Sequence, residues 1–140
     1  MKKSRAQLRG IVMNRQVLIV DDNEQVNAML TDAFTHQGYQ VVCALNAEEA
    51  LALLNEEIKV MFLDLKLPGK VSGLDLCRKI RKSHPTASIF AMTGHSSLFE
   101  LADCRKAGFD DYFTKPTKLE MLFMAAEQAF ARVENGNKIG

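Results

Sequence analysis

Val60-Met61-Phe62-Leu63-Asp64-Leu65-Lys66-Leu67-Pro68-Gly69 is an apolar run that ends in one carboxylate and then in a Pro-Gly turn. Val60 to Leu63 has the unbroken hydrophobicity of a parallel strand covered on both faces, and Pro68-Gly69 stops it. Asp64 therefore stands where a strand leaves its sheet, the edge at which open α/β sheets bind ligands. Two more strands end in the same manner. Val17-Leu18-Ile19-Val20 runs into Asp21-Asp22, and Ser88-Ile89-Phe90-Ala91-Met92 runs into Thr93-Gly94. If these strands are parallel, their ends and Lys115 meet on one rim.

Outward from that stretch, the pattern alternates five times between strand and helix. Strands are expected at Gln16–Val20, Tyr39–Ala44, Ile58–Leu63, Ser88–Met92 and Phe109–Phe113. Helices are expected at Asn23–Gln37, Asn46–Asn55, around Leu74–Arg81 and ending before Pro85, at Ser96–Ala107 and at Thr117–Val133. In the first helix, Val26, Met29, Leu30, Ala33 and Phe34 form the apolar stripe. Short connections with right-handed crossovers predict a flavodoxin-like (βα)5 three-layer sandwich, a parallel five-stranded sheet in the order 2-1-3-4-5. The domain spans 16–133, between a basic tail at 1–15 (Lys2, Lys3, Arg5, Arg9, Arg15) and a frayed C-terminal tail at 134–140.

With 140 residues there is room for one domain and its core. A net charge of +1 gives nucleic-acid binding no support. Cys43, Cys77 and Cys104 lack a metal-binding spacing, which suits a reducing compartment. No apolar run approaches the ~20 residues of a membrane span, nor does the N-terminus carry the apolar core of a signal peptide. A cytoplasmic protein is expected, without direct contact to nucleic acid or membrane.

In the predicted order Asp21, Asp22, Asp64, Thr93 and Lys115 surround one cleft. Clustered carboxylates repel unless they hold a proton or share a cation. Oxygen-only ligands suit a hard ion, and Mg²⁺ fits best because it accepts few protein ligands and keeps several waters. Asp21-Asp22 read alone is a helix N-terminal signal; that reading leaves Asp64 unexplained. An ammonium, a hydroxyl, a metal and backbone N–H groups around one carboxylate make a site for a phosphoryl group, with Asp64 as nucleophile.

These residues give the chain its family likeness. Leu18-Ile19-Val20-Asp21-Asp22-Asn23, Phe62-Leu63-Asp64-Leu65-Lys66-Leu67-Pro68-Gly69, Ala91-Met92-Thr93-Gly94, Ala107-Gly108, and Asp110-Asp111-Tyr112 leading to Lys115-Pro116 occur in order. Over Gln16 to Val133 the chain resembles a response-regulator receiver domain of two-component signalling, of the stand-alone kind. The resemblance implies that Asp64 accepts phosphate from a histidine kinase or phosphotransfer protein. It implies Mg²⁺ on Asp21, Asp22, Asp64 and the Lys66 carbonyl, with Lys115 and Thr93 assisting. It also implies a cis Lys115–Pro116 bond and a switch through Thr93 and Tyr112. Such a domain promotes its own phosphorylation and dephosphorylation and is not a turnover enzyme. Lys66 and His95 stand where the family tunes hydrolysis of the phosphoryl group. The loop Pro68-Gly69-Lys70-Val71-Ser72-Gly73 is one residue longer than the usual family turn, and Thr117 stands where Phe is common.

Competing chemistries fit less well. A flavodoxin needs a Ser/Thr/Gly phosphate loop where Asp21-Asp22-Asn23-Glu24 stands, and a haloacid-dehalogenase-type hydrolase needs a second Asp where Lys66 stands. A phosphorelay intermediate or phosphate sink, and a piece of a longer DNA-binding or enzymatic regulator, are the remaining alternatives. The sequence ends within a few residues of its last helix, so no helix-turn-helix is expected inside it. On that helix Leu122, Phe123, Ala126, Ala129 and Phe130 face the sheet. Met121, Met124 and Ala125 lie away from it, either because the apolar face is simply wide or as an adaptable surface for a downstream protein. The fourth helix, fifth strand and fifth helix form the face expected to carry that contact or a phosphorylation-dependent dimer of an otherwise monomeric chain.

Overall fold

A computed structural model describes residues 15–94 and 98–139. Its strands are β1 (Gln16–Val20), β2 (Gln40–Ala44), β3 (Ile58–Asp64), β4 (Ser88–Thr93) and β5 (Asp111–Thr114). Its helices are α1 (Glu24–His36), α2 (Ala47–Leu53), α3 (Gly73–Ser83), α4 (Leu98–Ala107) and α5 (Leu119–Ile139). All strand pairs are parallel and the order is β2-β1-β3-β4-β5. This is the flavodoxin-like arrangement expected from the strand–helix alternation.

β1, β3 and β4 lie at the centre because both of their faces are apolar, and every residue of β4 is buried. One face carries Leu18, Met61, Leu63, Ile89 and Ala91 against Ala47 and Ala50 of α2, Leu76 and Ile80 of α3, and Ala107 of α4. The other carries Val17, Ile19, Phe62 and Phe90 against Leu30 and Phe34 of α1 and Leu122, Ala126 and Phe130 of α5. Phe34, Phe62, Phe90 and Phe113 form a chain of tilted and stacked rings there, with centroids 5.2–6.4 Å apart. Asn23, Asn46 and Ser72 cap α1, α2 and α3 by accepting from the N–H groups of Val26, Glu49 and Asp75.

Several expectations change. Met29 is half exposed, and the buried stripe of α1 is Asn27, Leu30 and Phe34. The last strand starts at Asp111, two residues beyond the expected Phe109. Asp110 is held both ways: its N–H donates to the Ile89 carbonyl at 2.8 Å, and its side chain accepts from the Ile89 N–H at 2.8 Å and from Arg81 Nη2 at 2.8 Å. Arg81 also donates to the carbonyls of Gly108 at 2.8 Å and Ala87 at 2.6 Å, tying α3 to the chain just before β4 and just after α4.

The last helix does not stop at Val133 but continues to Ile139, through the stretch read as a frayed tail. The cause is Arg15. Read as part of the basic tail, it is only 2% exposed. Its guanidinium takes Glu134 in a fork of two 2.7 Å bonds, reaches Glu127 at 3.1 Å and lies over the Phe130 ring at 5.2 Å. Tyr39 donates its hydroxyl to the same Glu127 at 2.8 Å. With Glu127 in its middle and Glu134 beyond Val133 both bound to a buried arginine, the helix is held to the domain past its expected end. The rest of the basic tail, residues 1–14, lies outside the described residues.

Of the thiols, Cys77 and Cys104 are buried and Cys43 is exposed on the edge strand β2. Burial pushes the Cys77 thiol up to about 12 and also raises Cys104. Among the described residues no helix is long and apolar enough to cross a membrane.

Candidate phosphoryl-acceptor site

The carboxyl ends of β1 and β3 are adjacent, Val20 opposite Leu63, so the residues that follow them share one rim. Oxygen atoms of Asp21, Asp22 and Asp64 all lie within 4.8 Å of one another, the one such acidic cluster among the described residues. Asp21 and Asp64 are buried, whereas Asp22 is exposed at the mouth. Lys115, which follows β5, spans the pair: Nζ is 2.8 Å from Asp21 Oδ2 and 3.1 Å from Asp64 Oδ2. Its backbone N–H donates to the Thr93 carbonyl at 2.7 Å, and the Lys115–Pro116 peptide is cis. Thr93 itself is buried at the end of β4.

Backbone groups complete the frame. Asp64 Oδ1 accepts from the Lys66 N–H at 3.1 Å, and Asp21 Oδ1 from the Asn23 N–H at 2.9 Å. The Asp21 N–H donates to the Ala44 carbonyl at 3.2 Å. Asn27, buried on α1, donates from one amide nitrogen to that carbonyl at 2.8 Å and to the Asp21 carbonyl at 3.0 Å. Asn27 was missed by the reading of the sequence, although it sits three residues before Leu30 on the inward stripe, where an amide needs such a partner. Gly73 was missed as well. It begins α3 directly against the backbone of Asp64 and Leu65, and its N–H closes the long Pro68–Ser72 loop on the Leu65 carbonyl at 3.1 Å.

Burial raises the Asp64 carboxyl above its ordinary range, opposed by the Lys115 charge and the Lys66 N–H. For Lys115, burial works against the charged form, but its bond to Asp21 and the charge of Asp64 prevail and hold the ammonium above its usual range. The donor set is three carboxylates with one amine, and one carboxylate opens to water. That set fits a hard divalent cation retaining several waters.

Of the remaining expected residues, Lys66 presents an exposed side chain beside Asp64. Tyr112 is half buried on β5 opposite Ala91, packed on the α2–α3–α4 side of the sheet. Met121 and Met124 are 50% and 57% exposed. Ala125 departs from expectation, for it packs partly buried against the core with Phe123. His95 lies outside the described residues.

Residues 17–127 match the profile of the response regulator receiver domain. The chain belongs to that family. It is 36% identical over 110 residues to the uncharacterized transcriptional regulatory protein YrkP of Bacillus subtilis, covering 79% of this chain and 47% of that one. It is 33% identical over 106 residues to a cyclic di-GMP phosphodiesterase of Thermotoga maritima, covering 76% and 28%. This receiver chain thus spans less than half the length of either relative. A solved CheY-like receiver domain from Methanospirillum hungatei superposes with a TM-score of 0.77 at 29% identity, covering 90% of this chain and 98% of that chain. One from Clostridium thermocellum superposes at 0.79 with 28% identity, covering 86% and 97%. Membership carries a role in phosphorylation-dependent signalling; receiver domains in general exchange with histidine kinases or phosphotransfer proteins and bind Mg²⁺ at an acidic pocket, and this chain has a cluster of three Asp residues.

Proposed function

We propose that this receiver is a switch in which Asp64 accepts a phosphoryl group from a kinase phosphohistidine. The observation that carries the proposal is the Lys115 ammonium shared between two buried carboxylates, with a third carboxylate at the water side. Asp21, Asp22, Asp64 and the Lys66 carbonyl would hold Mg²⁺, which when bound supplies positive charge against the phosphoryl oxygens. An Asp64 oxygen forms the new O–P bond as the donor's N–P bond breaks, and the imidazole leaves with the electron pair. Lys115, already 3.1 Å from Asp64, donates to a phosphoryl oxygen. The Thr93 hydroxyl and the Gly94 N–H would donate to the same group; a Cβ added at Gly94 meets nothing within 4 Å, so the approach is open. The exposed Lys66 side chain flanks the phosphoryl group and sets how long it survives.

One test concerns the metal set. Asp22→Ala removes an exposed carboxylate without emptying the core, so the fold persists while Mg²⁺ affinity falls by about tenfold or more, with a parallel slowing of phosphorylation. Unchanged affinity in a Mg²⁺ titration would remove Asp22 from the set.

Output follows from the sheet register. Tyr112 lies opposite Ala91, and Ala91 and Thr93 share one face of β4, so only a small side chain separates Tyr112 from the region behind Thr93. A phosphoryl group draws the Thr93 hydroxyl inward, Tyr112 moves into the space, and the α4–β5–α5 face is reshaped beside Met121 and Met124. That face meets the downstream protein, or a second phosphorylated copy. The names of the two relatives, a transcriptional regulatory protein and a phosphodiesterase, differ in output, consistent with the shared segment being the input switch. Amide spectra with and without beryllofluoride test the coupling: shifts are expected at Tyr112 and along the first turns of α5. Shifts confined to the Asp64 cleft rule it out.

A further inference from the structure

A groove of about 460 Å³ lies at the opposite end of the sheet from Asp64, lined by Lys59, Thr86, Ser88, Ala129, Arg132 and Val133 among others. Lys59 stands near the start of β3, Ser88 begins β4, and Arg132 projects from the fourth turn of α5. Arg132 Nη2 donates to Ser88 Oγ at 3.3 Å, which places the guanidinium on the groove wall and leaves the serine proton to donate. No Asp or Glu lines the groove, and among the described residues no carboxylate forms an ion pair with Lys59 or Arg132. An adjoining groove that shares Lys59 and Thr86 has one acidic lining residue, Glu56.

Two cations and two hydroxyls facing one space, with no internal counter-charge, suit a compact dianion. A guanidinium and an ammonium give charge-assisted donors to phosphate oxygens, and the hydroxyls of Thr86 and Ser88 add neutral ones. The volume exceeds what a phosphate alone needs and falls in the range of small-molecule sites. Ala129 and Val133 offer an apolar wall to whatever carries the phosphate. We propose that this groove binds a phosphate monoester, its dianion between Lys59 and Arg132 and its organic part against Ala129 and Val133. The site is separate from the acceptor cleft: the six residues of β4, Ser88–Thr93, put roughly 16 Å between the two ends of the strand.

The test is an amide NMR titration of the whole chain with inorganic phosphate and with phenyl phosphate, free of Mg²⁺, with ionic strength held constant by sodium chloride. Saturable shifts are expected at Lys59, Ser88 and Arg132, with phenyl phosphate the tighter ligand. Lys59→Gln and Arg132→Gln should each weaken binding by about tenfold, the loss of one charged partner. Lys59 belongs to neither core cluster, although Ile58 and Val60 on either side of it do, so Lys59→Gln, with its melting point checked against the wild type, decides the matter even if Arg132→Gln disturbs Ser88. Shifts that never saturate, that chloride reproduces, or that centre on Asp64 would overturn the proposal, as would unchanged affinity in Lys59→Gln.

Discussion

Asp64→Asn abolishes labelling by a small acyl phosphate in the presence of Mg²⁺, a loss on the order of 10³-fold or more, as when an enzyme loses its nucleophile. The wild-type product is expected to be labile to acid and base, as an acyl phosphate is. The substitution keeps the shape, and its single amide oxygen can accept from the Lys66 N–H or from Lys115 but not from both; Lys115 keeps its bond to Asp21, so the fold remains. Stability changes in the opposite direction from activity. Burial raises the folded-state pKa of Asp64 above 3.8, so the protonated form is the one the fold favours. The associated stability is complete below pH 3.8 and is lost as pH rises through the raised folded-state value. Asn carries no such loss. In metal-free buffer at neutral pH the variant should melt above the wild type, with the gap closing on acidification. Thermal melts across pH check this, and mass spectrometry checks the labelling; a fully labelled Asp64→Asn places the acceptor elsewhere.

Gly73→Ala should produce the largest structural defect of any methyl addition near the site. A Cβ there would collide with the Asp64 carbonyl oxygen and lie 2.6 Å from the Leu65 Cα. Both obstacles are backbone, at the end of β3 and just beyond it, so the start of α3 must move and the Gly73 N–H must leave the Leu65 carbonyl. Overpacking of this kind costs about 3 kcal/mol, which in a domain of this size lowers Tm by roughly 10 °C. Because the displaced backbone carries Asp64, phosphorylation should slow as well. An unchanged melting point would show that α3 does not press on β3 as described. Gly94→Ala, with nothing within 4 Å of the added carbon, serves as the tolerant control.

Strands and strand order were legible because apolar runs and short crossovers leave few alternatives, and the cluster of Asp21, Asp22, Asp64 and Lys115 followed from the order. What escaped depends on partners distant in sequence. Arg15 looks like one more base in a basic tail until Glu127 and Glu134, over a hundred residues away, come round on the last helix. Asn27 breaks an apolar stripe and becomes intelligible only beside the carbonyls of Asp21 and Ala44. Arg81 reads as a helix residue, yet its guanidinium gathers the connections on either side of β4 and α4. Met29 shows the converse: periodicity assigned it inward, but α1 meets the sheet through a narrower stripe than its apolar residues suggest.

The three thiols have an experimental consequence. A buried thiol with a pKa of about 12 is thiolate at pH 7 only to about one part in 10⁵, and Cys104 is both buried and shifted the same way. An alkylating reporter added to the unaltered chain should therefore attach at Cys43 alone. Cys43 immediately precedes Ala44, whose carbonyl receives the Asp21 N–H and the Asn27 amide. A fluorine or environment-sensitive dye at that position would sit one peptide unit from the bond that steadies Asp21, and its signal would follow occupation of the acidic pocket in real time without any engineered cysteine.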